Sequence, residues 1–248
     1  MPERRWGRTA LRLLRLAGHL LRGLWTIAWR FPRLSTLQRN ALVQAWAHGL
    51  LARIGVRLEV HGTPPASGPV LLVANHLSWL DIPVLHAARH CRFISKSDVA
   101  SWPLVATLAR AAGTLFIDRG SRRDTLRIVK LMGEALRAGD VLAVFPEGTT
   151  GDGTAILPFR ANLLEAAIEV DAPVQPLALR FIDPATGLDS PAPIYAGDTT
   201  LWESVWRTLS APAVIARVEY GVPQRAQGRD RRAWARDLQA EVERLRRA

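Results

Sequence analysis

Sulfur and acid are scarce in this 248-residue chain: one cysteine, two methionines, and 22 Asp plus Glu against 33 Lys plus Arg. A lone Cys91 excludes an internal disulfide framework and fits a reducing compartment such as the cytosol. Gly-rich phosphate loops of the form G-x-x-x-x-G-K-[ST] or G-x-G-x-x-G are absent, so nucleotide binding has no motif behind it. Nucleic-acid motifs are missing as well. No His/Cys/Asp/Glu grouping has metal-ligand spacing, and the "GDG" of residues 151–153 has too few carboxylates for a calcium loop. There is no G-x-S-x-G elbow to present a serine nucleophile. The acid deficit leaves a net charge of +11, which suits a polyanionic partner, either nucleic acid or an anionic membrane face. Nine tryptophans favour the membrane–water interface, although aromatics also stack on unpaired bases.

The first thirty residues strengthen the membrane reading. Arg8, Arg12, Arg15, His19 and Arg22 recur at helical spacing, a cationic stripe, with Leu11, Leu14, Leu21 and Trp25 over the remaining surface. The apolar run 23–29 is too short to span a bilayer, and Arg22 breaks up any signal-peptide core. The pattern predicts a helix lying in the interface, apolar side in the acyl region and arginines at lipid phosphates; the plainer alternative is a solvated surface helix. Pro32 ends this helix, and Ser35 or Thr36 can cap a second over about 37–53. Residues 1–55 are therefore expected to form a helical hairpin ahead of a single domain, 56–248.

From residue 56 onward, short β-branched runs alternate with helical patterns. Strands are expected at 56–60, 69–74, 91–94, 114–117, 141–145, 174–179 and 213–220. Helices are expected at 82–89, 103–112, 122–137, 161–170, 201–209 and 229–247. Such alternation predicts an α/β fold with a mostly parallel, helix-flanked sheet. Ligands in such folds sit beyond the carboxyl ends of strands. Three polar clusters fall at those ends: Asn75-His76 with Asp81, "DRG" at 118–120, and "FPEGTTGDG" at 145–153.

An imidazole titrates near neutrality, at about 6.5, and can act as a base. Asp81, at the start of a helix, can accept the Nδ1 hydrogen bond of His76 and leave Nε2 free, the orienting role that a carboxylate plays in serine hydrolases. Ser78 lies near in sequence, but nothing there shows that it reaches the imidazole. Cys91 has no activating pattern. The hydroxyl to be activated is therefore expected on the substrate. Arg119 suits an anion clamp, or a salt bridge to Glu147. Gly148 permits a sharp turn whose amides could hold an anion or developing oxyanion.

These blocks, in this order, resemble the glycerolipid acyltransferase family, which includes bacterial 1-acylglycerol-3-phosphate acyltransferases. "NHLSWLD" resembles N-H-x-x-x-x-D, "GTLFIDR" (113–119) the second block, "FPEGT" (145–149) the third, and "VQPLAL" (174–179) a proline-containing strand. The likeness spans about 56–180. It implies that His76 deprotonates an acceptor hydroxyl, with Asp81 as partner, and that this hydroxyl attacks the thioester of acyl-CoA or acyl carrier protein. Gly113, Arg119, Glu147, Gly148 and Thr149 would shape the acceptor site, Lys96 would face an anionic head group, and Pro176 would lie on the donor side. No metal or resident cofactor is implied, and membrane lipids rather than nucleic acid would be the partners, at the cytoplasmic face of the inner membrane. The family often has a basic residue after "PEGT", where Thr150 stands here. That departure brings lyso-ornithine lipid into consideration as acceptor beside lysophosphatidate. A catalytically silent lipid-binding scaffold and a nucleic-acid binder are the readings of other classes.

Overall fold

The structure, a computed structural model, describes residues 2–96, 101–117 and 122–248. Helix α1 (Pro2–Trp29) turns through a 3-10 segment containing Pro32 into α2 (Thr36–Ile54). Ser35 caps α2 by a reciprocal box: its hydroxyl accepts from Gln38 N, and the Gln38 side chain accepts from Ser35 N. Two glycines let the helices close on each other. A β-carbon at Gly23 would stand 2.6 Å from the Trp46 indole nitrogen, and one at Gly49 would stand 3.0 Å from the His19 ring. His19 stacks on Trp46 at 5.0 Å between centroids, and its Nε2 lies 2.8 Å from Trp46 O.

Seven strands form one sheet in the order β1-β7-β6-β2-β5-β3-β4: β1 (Val56–His61), β2 (Val70–Ala74), β3 (Arg92–Lys96), β4 (Leu115–Ile117), β5 (Val141–Val144), β6 (Val174–Ile182) and β7 (Val214–Tyr220). All neighbours run parallel except β6 and β7, an antiparallel pair. All seven expected strands are present, with ends shifted by a few residues. The helices α3 (Asp81–Ala88), α4 (Pro103–Ala111), α5 (Arg122–Arg137), α6 (Glu165–Glu169), α7 (Leu201–Ser210) and α8 (Arg231–Arg247) flank it. The expected helix 161–170 divides into a 3-10 turn, Ala161–Leu164, and the short α6.

Period-two alternation splits the core between the faces of the sheet. Leu72 and Ala74 of β2, with Val141 and Ala143 of β5, pack towards α2, α3 and α7. Leu71 and Val73, with Leu142 and Val144, pack towards α5, α6 and α8, where Trp234 is fully buried. Strands buried on both sides read as continuous apolar runs, which is why β2 is Val-Leu-Leu-Val-Ala.

The cationic stripe of α1 does not point uniformly outward. Arg12 donates to the carbonyls of Leu209, Ala211 and Pro212, and Arg8 to that of Ser210, so both cap the carboxyl end of α7. Exposed helix-end carbonyls attract guanidinium groups more than solvent does. With His19 and Thr9 also turned inward, the exposed side of α1 carries Leu11, Leu14, Leu21, Trp25 and Trp29, while Arg15 and Arg22 remain in solvent.

Candidate active site

Where β2 leaves the sheet, Asn75 takes over its hydrogen bonding. Its side-chain Nδ2 donates to Leu179 O at 3.0 Å and its Oδ1 accepts from Leu179 N at 2.7 Å, so a buried amide extends the β2–β6 pairing beyond Ala74. The next residue, His76, is thereby placed at the rim. Asp81 is fully buried as the first residue of α3. Its Oδ2 lies 2.7 Å from His76 Nδ1 and also accepts from the backbone of Leu77 at 2.6 Å and Ser78 at 2.9 Å. That hydrogen bond puts the proton of the neutral ring on Nδ1 and leaves the Nε2 lone pair available. The ring lies flat on Phe145, 4.0 Å between centroids and 7° from parallel.

The turn after β5 supports the base from behind. Glu147 is buried; its Oε1 accepts from His76 N at 2.6 Å and its Oε2 from Leu157 N at 2.8 Å. Burial pushes its pKa up, and the two amides pull it back. Gly151 N donates to His76 O at 2.8 Å, so both backbone polar groups of His76 are held by the 147–151 turn. Gly148 has φ +73°, where a side chain is strained, and the place of its missing β-carbon is filled by the Arg160 guanidinium. Arg246 of α8 donates to the carbonyls of Gly153 at 2.5 Å and Thr154 at 3.2 Å, clamping the far end of this loop.

His76 opens on a cavity of about 900 Å³ between the α1–α2 hairpin, α4 and the sheet rim. Leu16, Leu20, Trp46, Trp102, Leu108 and Phe145 contribute apolar wall, and His76, Gly148 and Thr149 form a polar end. His86 is part of the same wall, but burial, with a smaller push from His90, lowers its pKa to about 3, and no carboxylate orients it.

The sequence-expected residues separate into three groups. His76, Asp81, Glu147, Gly148 and Thr149 come together, because β2 and β5 are adjacent and parallel. Glu147 braces the backbone of the base through Oε1, holds Leu157 N through Oε2, and does not line the cavity. Gly113 and Pro176 lie elsewhere. Gly113 turns the chain at the start of β4, where its carbonyl accepts from Arg92 Nε at 2.9 Å. Pro176 sits within β6 opposite Val73, its carbonyl accepting from Gly221 N. Neither lines the cavity itself, although Ala112 and Thr114 on either side of Gly113 do. Lys96 ends β3, its backbone in register with Ile117, and Arg119 lies outside the described residues. Ser78 is excluded as nucleophile, because its hydroxyl donates to Pro193 O at 2.5 Å. Cys91 is sealed in the core, where burial raises its pKa. Sequence reasoning missed the parts played by Asn75, Phe145, Arg160 and Arg246. An aromatic before Pro146 was the only local signal among them; Asn75 and Arg246 act across 92 to 104 residues of chain, and Arg160 depends on the conformation of Gly148.

The model of the Acyltransferase family matches residues 57–180, the stretch from β1 to β6 that contains this rim. The chain belongs to that family. As an acyltransferase, it is 39% identical over 198 residues to the 1-acyl-sn-glycerol-3-phosphate acyltransferase of Neisseria meningitidis, covering 79% of this chain and 76% of that protein. It is 37% identical over 241 residues to the lyso-ornithine lipid O-acyltransferase of Pseudomonas aeruginosa, covering 95% of this chain and 92% of that one. The fold matches the crystal structure of the 1-acyl-sn-glycerophosphate acyltransferase PlsC from Thermotoga maritima with a TM-score of 0.70, over 100% of this chain and 98% of that one, at 17% identity.

Proposed function

We propose that this acyltransferase moves a fatty acyl group from a thioester, acyl-CoA or acyl carrier protein, to the free sn-2 hydroxyl of 1-acylglycerol-3-phosphate, giving phosphatidic acid. The observation that carries the reading is the His76 Nδ1···Asp81 Oδ2 contact of 2.7 Å beside an apolar cavity with a polar end. Nε2 takes the proton of the acceptor hydroxyl as its oxygen attacks the thioester carbonyl. The tetrahedral intermediate collapses, its carbon–sulfur bond breaks, and the departing thiolate recovers the proton from His76. Base, acceptor and thioester suffice for these steps, so the proposal includes no metal or resident cofactor. In the 147–151 turn the amides of Gly148 and Gly151 are taken by Phe145 O and His76 O, which leaves those of Thr149 and Thr150 as candidates for the oxyanion.

A second acceptor, lyso-ornithine lipid, is favoured by the wide coverage of the Pseudomonas relative and by Thr150 after "PEGT". For location we propose attachment to the cytoplasmic face of the inner membrane through the exposed apolar side of α1. None of the described helices is long and apolar enough to cross a bilayer, and Trp25 and Trp29 suit the interface. The test is the purified protein with labelled acyl thioester, offered the two lysolipids side by side. His76→Ala should lower turnover by at least the ~10²-fold expected of a lost general base. An unchanged rate in that variant removes the proposed base.

A further inference from the structure

We infer that Arg160 is a binding residue for the anionic group of the acceptor, a phosphate or a carboxylate. The inference rests on the lysolipid acceptor proposed above. Arg160 directly precedes the 3-10 turn, and its backbone N–H is fixed to Pro146 O at 2.9 Å, which ties it to the loop carrying Gly148 and Thr149. Its guanidinium lies across Gly148. A β-carbon there would stand 2.6 Å from Cζ, 2.7 Å from Nε and 3.0 Å from Nη1, so position 148 must lack a side chain for the arginine to rest in place. Gly148 and Thr149 line the cavity together with His76.

The other charged groups around this loop are engaged. Arg246 is held by Glu243 and by the carbonyls of Gly153 and Thr154. Asp152 accepts from Thr154 N and Oγ1. Glu147 is taken by the amides of His76 and Leu157. Arg160 differs: among the described residues no carboxylate lies within 4.0 Å of it, and no side-chain or backbone acceptor takes one of its five N–H groups. It is exposed, so an incoming anionic group can reach it. A planar guanidinium, preset on the turn that braces the base and unclaimed by the protein, suits two-point recognition of a carboxylate or phosphate. A head group seated there would bring its own hydroxyl towards the His76 end of the cavity.

The test measures equilibrium binding of lysophosphatidate and of lyso-ornithine lipid to the full chain in detergent, alongside acceptor KM, donor KM and Tm. Arg160→Gln should weaken binding of the true acceptor by at least about tenfold and raise its KM to match, leaving donor KM near wild type. Arg160→Lys should restore part of the affinity, with a stronger dependence on salt. Loss confined to lysophosphatidate identifies a phosphate ligand, and loss confined to lyso-ornithine lipid a carboxylate. Wild-type binding of both lipids by Arg160→Gln overturns the inference, as does a wild type that binds neither. A loss that Arg160→Lys shares in full, with lowered Tm in both variants, would mean that the arginine only packs the turn, and also overturns it. If the wild type binds an acceptor through Arg160 but transfers no acyl group, the proposed function fails while this inference stands.

Discussion

At the scale of single residues, most of what makes the site is a hydrogen bond to backbone. Asp81 orients the imidazole and also collects the amides of Leu77 and Ser78, so the carboxylate shapes the turn that delivers its own partner. Glu147 does the same from the other side. Glu147→Gln keeps the shape but offers one acceptor oxygen where two amides need one each. It should cost about 1–3 kcal/mol of stability and lower kcat, with acceptor KM changing less. Thermal unfolding and steady-state kinetics check this: a raised KM with Tm unchanged would instead mean that Glu147 contacts the acceptor. The H-x-x-x-x-D spacing made the His76–Asp81 pair legible in sequence because the two lie in one turn. The same spacing does not show which amide Glu147 meets, since a contact 71 residues away is a matter of strand order.

At the scale of elements, α1 is the instructive case. Its periodicity announces an amphipathic helix but not which side is used for what. Arg8 and Arg12 are consumed at the end of α7, and the apolar row Leu11, Leu14, Leu21, Trp25, Trp29 faces out. Arg12→Ala should therefore behave as a stability variant, losing about 1.5–3 kcal/mol through its charged hydrogen bonds, readable as a lower Tm. Leu14→Glu with Leu21→Glu changes residues 71% and 67% exposed, so Tm should hold while sedimentation with anionic vesicles falls. Undiminished vesicle binding in that double variant would count against the α1 face as the attachment surface. Charge alone could not reveal this division, because a guanidinium satisfies a helix-end carbonyl as readily as a lipid phosphate.

For the whole molecule, acid should loosen the fold through two histidines. Burial lowers the pKa of His86 to about 3 and of His90 to about 4, against 6.5 for an ordinary imidazole. Between those limits the unfolded chain binds protons that the folded chain refuses, so stability is full above about pH 6.5 and declines as pH falls towards 3. Glu147, raised by burial, works in the opposite sense and offsets part of the slope. His86→Phe should flatten the decline of Tm between pH 7 and 4.5; an unchanged slope would mean that His86 does not supply that linkage. The two rings stack on each other and His86 lines the cavity, so this wall carries an acid sensitivity of its own.

Sequence by itself determined the alternation of strands and helices, the α/β class, the pairing of His76 with Asp81, and the family. These rest on local periodicity, on capping and on residues a few positions apart, where chain connectivity leaves little freedom. Tertiary structure alone decided that Glu147 braces the base, that Arg160 rests in the space Gly148 leaves open, and that three of the five residues of the cationic stripe turn inward. Each depends on which strands become neighbours and on which backbone groups lack partners once the core closes, and both are properties of the assembled sheet.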